Sequence, residues 1–99
     1  MNTENVCSIC ERAMIKGRYI DEHHLIPKAK NGKYTDKILI HRICHDKIHS
    51  IWTESELASY YNTVERIRTN SDMMKFIKWV NKKPCDFYTK TKMSNSRRR

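Results

Sequence analysis

No apolar segment of this 99-residue chain approaches the ~20 residues needed to cross a bilayer, which argues against a transmembrane anchor on length alone. No positively charged start followed by an apolar run is visible either. A secretory leader is therefore not expected, and the four cysteines are expected to be reduced, in a cytoplasmic setting, rather than paired in a disulfide framework. A glycine-rich phosphate loop and internal repeats are also missing from the sequence. Acidic residues are in deficit, with 11 Asp and Glu against 20 Lys and Arg, giving a net charge of +9. Such a charge attracts a polyanion, most simply nucleic acid, although an acidic protein or an anionic membrane would satisfy it too. At 38% apolar and 31% charged residues the chain fits one domain with a modest core, and such a core usually needs a staple.

Residues 1–52 contain every histidine and three of the four cysteines, whereas residues 53–83 contain neither and show helical periodicity. The division predicts a chemical part over 1–52, a helical support over 53–83 and a basic end over 84–99. Thr53 followed by Glu56 is a capping-box pattern, and Leu57, Tyr61, Val64 and Ile67 recur at helical spacing, so a helix is expected from about 54 to 68. Thr69-Asn70-Ser71 interrupts it. Ser71 can cap a second helix, whose stripe of Met73, Phe76, Ile77 and Val80 runs until Lys83-Pro84. Beyond Pro84 the only acid is Asp86, and the chain ends in Arg97-Arg98-Arg99. That end reads either as a solvated, disordered tail or as a flexible arm reaching for phosphates. Cys85 stands apart from the other cysteines and reads as a small residue with a thiol.

In the first part, Arg18-Tyr19-Ile20-Asp21 leads into His23-His24, and Lys37-Ile38-Leu39-Ile40 leads into His41, with Asn31-Gly32 as a turn signal between them. Two strands are expected, followed by a helix over about 43–52. Cys7-Ser8-Ile9-Cys10 is a C-x2-C pair at the tip of a turn, a spacing that lets both thiolates reach one tetrahedral ion. A redox disulfide motif shares this spacing but expects a βαβ surrounding that does not follow here. His41-Arg42-Ile43-Cys44 supplies an H-x2-C complement, and Cys7, Cys10, His41 and Cys44 together make a Cys3His set suited to structural zinc. This site would tie the N-terminus to the second strand and stabilise a small core.

His45 and His49, four apart on the expected helix, project from one face and can share an ion. His23 on the first strand can face them as a third ligand, leaving coordination positions open for water or a phosphate oxygen, as in a catalytic metal site. His24 points to the other side of an extended strand and is free to act as a base.

The residues Cys7-x2-Cys10, Glu22-His23-His24-Leu25-Ile26-Pro27, Gly32, and Leu39-Ile40-His41-Arg42-Ile43-Cys44-His45-Asp46-Lys47-Ile48-His49 resemble the HNH nucleases over about half of the chain. The H-H and H-x3-H elements are similar to the colicin-type branch, and the cysteine knuckles to the zinc-stapled branch. The resemblance implies an α+β fold with a small ββα-metal finger, two C-terminal helices and a basic tail. It also implies a DNA endonuclease in which His23, His45 and His49 hold the catalytic ion and His24 is the general base. Asp36 stands where the family has an asparagine that braces the loop and orients the base; it keeps an acceptor of the same size and loses the amide donors. Asn31 or Thr35 could take over that orienting role.

On this reading His24 removes a proton from water attacking phosphorus in line, while the ion stabilises charge on a non-bridging oxygen and the departing 3'-oxygen. Arg42, Lys28, Lys30 and Lys33 are candidate phosphate contacts or ordinary solvated charges. Three imidazoles suit Zn2+, Ni2+, Co2+ or Mn2+ better than Mg2+, which prefers oxygen ligands yet stays possible with added water. The expected partner is DNA and not a membrane. A second hypothesis is a non-catalytic zinc-stabilised DNA-binding module, and a third is an RNA nuclease of the same architecture.

Overall fold

The computed structural model describes residues 3–15, 17, 19–25 and 37–90. Strand β1 (Thr3–Val6) pairs antiparallel with β2 (Ala13–Ile15), with Asn5 opposite Met14 and Val6 opposite Ala13. Cys7 to Arg12 make the turn between them, closed by hydrogen bonds from Cys7 N–H to the Arg12 carbonyl and from Glu11 N–H to the Cys7 carbonyl, both 2.9 Å. Glu11 takes the left-handed conformation, φ 64°, which reverses the chain there at a conformational cost for a residue with a Cβ. The hairpin was not anticipated from sequence beyond its tip, because its strands are only three and four residues long.

Strand β3 (Ile20–His24) pairs antiparallel with β4 (Lys37–His41), with His23 opposite Ile38 and Asp21 opposite Ile40. Side chains alternate between the faces of a strand, so Asp21, His23, Ile38 and Ile40 share one face and Glu22, His24, Lys37 and Leu39 the other. Both expected strands are present. The chain turns directly from β4 into helix α1 (Arg42–Ile51). His41 occupies the N-cap position with extended backbone but makes no side-chain cap, since its ring is engaged elsewhere.

The region expected to form one helix from 54 to 68 is instead two short ones, α2 (Glu54–Ser59) and α3 (Val64–Arg68). The capping box of Thr53 and Glu56 starts α2, as expected. The helix stops because Tyr60 leaves helical geometry, Tyr61 stacks on Trp52 with ring centroids 4.3 Å apart, and Thr63 supplies a fresh cap to Arg66 N–H. Periodicity alone registered the apolar stripe but not this tertiary pull. Helix α4 (Ser71–Val80) follows, and its N-cap is Asn70, not Ser71: the Asn70 side-chain oxygen accepts from both Asp72 N–H and Met73 N–H. Among the described residues three helices rather than two thus follow α1.

One hydrophobic core joins both parts of the chain. Ile9, Met14, Ile40, Ile43, Ile48, Leu57, Ile67, Met73 and Val80 are fully buried, so α2 to α4 close over the face of the unit formed by the two hairpins and α1. Along α1, Cys44, Ile48 and Ile51 face this core while His45 and His49 are half-buried on the side toward β3. After α4, Phe87 packs edge-on against Trp79, and Tyr88 returns to stack on Tyr19 and donate a 2.7 Å hydrogen bond to Asp46. Among the described residues no helix is long and apolar enough to cross a membrane.

Candidate metal centres

The β1–β2 turn, the end of β4 and the first turn of α1 bring Cys7, Cys10, His41 and Cys44 together, all buried and with ligand atoms within 4.8 Å of one another. Cys7 Sγ lies 3.8 Å from Cys44 Sγ, and Cys10 Sγ lies 3.3 Å from His41 Nδ1. The other ring nitrogen, His41 Nε2, sits 3.1 Å from the Ala13 carbonyl. A carbonyl can only accept, so Nε2 carries the hydrogen when His41 is neutral, which leaves the Nδ1 lone pair directed at the thiols. That is the tautomer a metal ligand requires. His41 N–H also approaches Cys7 Sγ, at 3.4 Å.

The electrostatics of the cluster favour a cation. Burial lowers the His41 pKa, but hydrogen bonds to Cys10 and Cys7 and the negative charge on them outweigh it and raise the value to about 9. The Cys10 thiol is held well below its ordinary value, first by hydrogen bonds from Cys44 and Cys7, whereas Cys44, the donor to Cys10, is pushed up. Arg12 stands behind the thiols with Nε 3.2 Å from Cys10 Sγ and offsets their charge. This donor set, three sulfurs and one correctly presented imidazole, can hold a metal such as zinc.

A second cluster lies on the other side of α1. His45 and His49, one turn apart, meet His23 from β3, and the ligand nitrogens again lie within 4.8 Å of one another. Ring centroids are separated by 5.3 Å for His23 and His45, 5.6 Å for His23 and His49, and 4.8 Å for His45 and His49. His23 is 1% exposed, and its Nε2 is buried without a hydrogen-bond partner among the described residues. Burial, aided by repulsion from His45, His49 and His24, lowers its pKa to about 3, so at neutral pH the ring is uncharged. A neutral, buried imidazole with an unpaired ring nitrogen, packed beside two other imidazoles, fits a cation.

His24 is half-buried at the end of β3, on the face opposite His23, as the alternation predicts. Arg42 is exposed, with Nε 3.3 Å from Asp21 Oδ1 and its guanidinium 5.7 Å from the Tyr19 ring centroid. Asp36, Lys28, Lys30 and Lys33, together with Asn31, Thr35 and Arg97-Arg98-Arg99, lie outside the described residues. Two neighbours of the clusters escaped the sequence reading. Arg12 follows Cys10 by two residues, and Asp21 precedes His23 by two on an alternating strand, a spacing that puts it on the His23 face but does not reveal its partners on α1. Asp21 Oδ2 lies 3.2 Å from His45 Nδ1.

These features define a small α+β protein with a buried Cys3His cluster able to hold a metal such as zinc. The chain is 33% identical over 94 residues to the uncharacterized protein YisB of Bacillus subtilis (strain 168), an alignment that spans 95% of this chain and 91% of that protein. It belongs to the same family as that protein. No protein-family model matches the chain, and no solved structure matches it.

Proposed function

We propose that this protein is a metal-dependent endonuclease of the HNH type that hydrolyses DNA phosphodiester bonds. The observation that carries the reading is the convergence of His23, His45 and His49, with the His23 Nε2 buried and without a partner among the described residues, on the side of α1 away from the Cys3His cluster. The β3–β4 hairpin and α1 form the finger, with Cys7, Cys10, His41 and Cys44 holding a structural zinc at its base. A divalent ion on the three histidines would supply Lewis-acid stabilisation of the charge that develops on the phosphate and the leaving oxygen.

The chain's own residues do the rest. His23, kept neutral by burial, and the two imidazoles of α1 would hold the ion. His24, at the last position of β3, takes the proton from the attacking water. Arg42 and the net charge of +9 attract the DNA backbone, with Lys28, Lys30 and Lys33 as further candidate contacts.

Purified, zinc-loaded protein incubated with plasmid under a panel of Mg2+, Mn2+, Co2+, Ni2+ and Zn2+ tests this. The expected result is nicking with at least one ion and, for His24→Ala, a rate lower by about 10^2- to 10^4-fold. Nicking that is unchanged in His24→Ala refutes the base. A chain that binds DNA, retains one zinc and takes up no second ion is instead a non-catalytic binding module, and a preference for RNA at fixed salt would reassign the substrate.

A further inference from the structure

The carboxylate of Asp21 bridges two residues of α1, one of which, His45, belongs to the three-histidine cluster. Its Oδ2 lies 3.2 Å from His45 Nδ1, and its Oδ1 lies 3.3 Å from Arg42 Nε. Asp21 shares its strand face with His23, two residues along β3, so one strand delivers a histidine to the cluster and a carboxylate to the back of a second histidine. The converging nitrogens belong to His23, His45 and His49, and Asp21 is not among the residues that meet there.

A carboxylate can only accept when ionised, so the hydrogen of neutral His45 must sit on Nδ1 and the lone pair on Nε2. That fixes both the tautomer and the ring plane, and it leaves Nε2 for an ion. The second oxygen does the same for Arg42, holding its Nε while the guanidinium lies over Tyr19, whose carbonyl accepts from Arg42 N–H at 2.6 Å.

We infer that Asp21 is a positioning residue which orients His45 for a divalent ion and Arg42 for a phosphate oxygen, coupling ion binding to backbone contact through one carboxylate. The inference rests on the reading of His23, His45 and His49 as a metal site.

The test is calorimetric and spectroscopic titration of zinc-loaded protein with Ni2+ and Co2+, for the unaltered chain, Asp21→Asn and Asp21→Glu. The unaltered chain is expected to take up one further ion. Asp21→Asn, which keeps size but loses the charge, is expected to bind it about 10- to 100-fold more weakly and to shift the visible cobalt bands, with Asp21→Glu restoring part of the affinity. Melting of the zinc-loaded chain without the second ion should differ little between Asp21→Asn and the parent, which separates positioning from folding. Equal affinity and equal spectra in Asp21→Asn overturn the inference while leaving the metal site standing. No second ion in the unaltered chain overturns both.

Discussion

Arg12 donates from Nε to Cys10 Sγ at 3.2 Å and from Nη1 to the carbonyls of Lys83 and Pro84, so one buried guanidinium ties the cysteine cluster to the segment that follows α4. Its Nη2 is buried without a partner among the described residues, so the side chain is held there by the thiolate charge and the two carbonyls. Arg12→Met keeps most of the stem and removes the charge. It is expected to cost about 2 kcal/mol, the range for hydrogen bonds to charged groups, in denaturant melts of the zinc-loaded protein. Amide exchange over residues 85–88 should quicken in the same variant, because Tyr88 and Phe87 lose the anchor before them.

Zinc itself should behave as part of the fold. One ion per chain is expected to copurify, and Cys44→Ser or treatment with a strong chelator should sharply lower the midpoint of the melt. His41 in the folded, metal-free chain keeps its proton to about pH 9. Zinc uptake at pH 7 must therefore displace that proton, and the heat of binding should vary with the ionisation enthalpy of the buffer in the direction of proton release. A buffer-independent heat would contradict it.

The depressed pKa of His23 sets a pH dependence of stability. The unfolded ring takes a proton near pH 6.5 while the folded ring resists until about 3, so the unfolded state is favoured as pH falls between these values. The stability that His23 contributes is thus complete above pH 6.5 and lost progressively down to about pH 3. At pH 5 the loss is about 2 kcal/mol, from about 1.4 kcal/mol per pH unit. Melts of the zinc-loaded protein at pH 7 and 5, compared with His23→Gln under the same conditions, isolate this contribution. An identical pH slope in the two proteins would exclude it.

The short helices depend on their caps. Thr53 and Glu56 satisfy each other's backbone donors at the start of α2, and Asn70 accepts from two backbone donors at the start of α4. Thr53→Ala and Asn70→Ala are each expected to destabilise the protein by about 1 kcal/mol. Ser71→Ala should be close to neutral, since Ser71 is the first helical residue and not the cap. Chemical denaturation of the three variants checks the order.

Local chemistry by itself determined a good part of this protein. The alternation of β3 put His23 and His24 on opposite faces, and the four-residue spacing of His45 and His49 put both on one side of α1. The knuckle spacings Cys7-x2-Cys10 and His41-x2-Cys44 identified the four residues that meet in the buried cluster. These patterns are set by the periods of strand and helix, which any short window of sequence displays. Tertiary structure decided the rest, because it depends on residues far apart in the chain. Tyr61 reaches back to Trp52 and breaks a helix that periodicity would have continued, and Arg12 finds its carbonyl partners some seventy residues later. Asp21 meets His45 and Arg42 only once β3 lies against α1, and no spacing rule encodes that a carboxylate on one element will complete an imidazole on another.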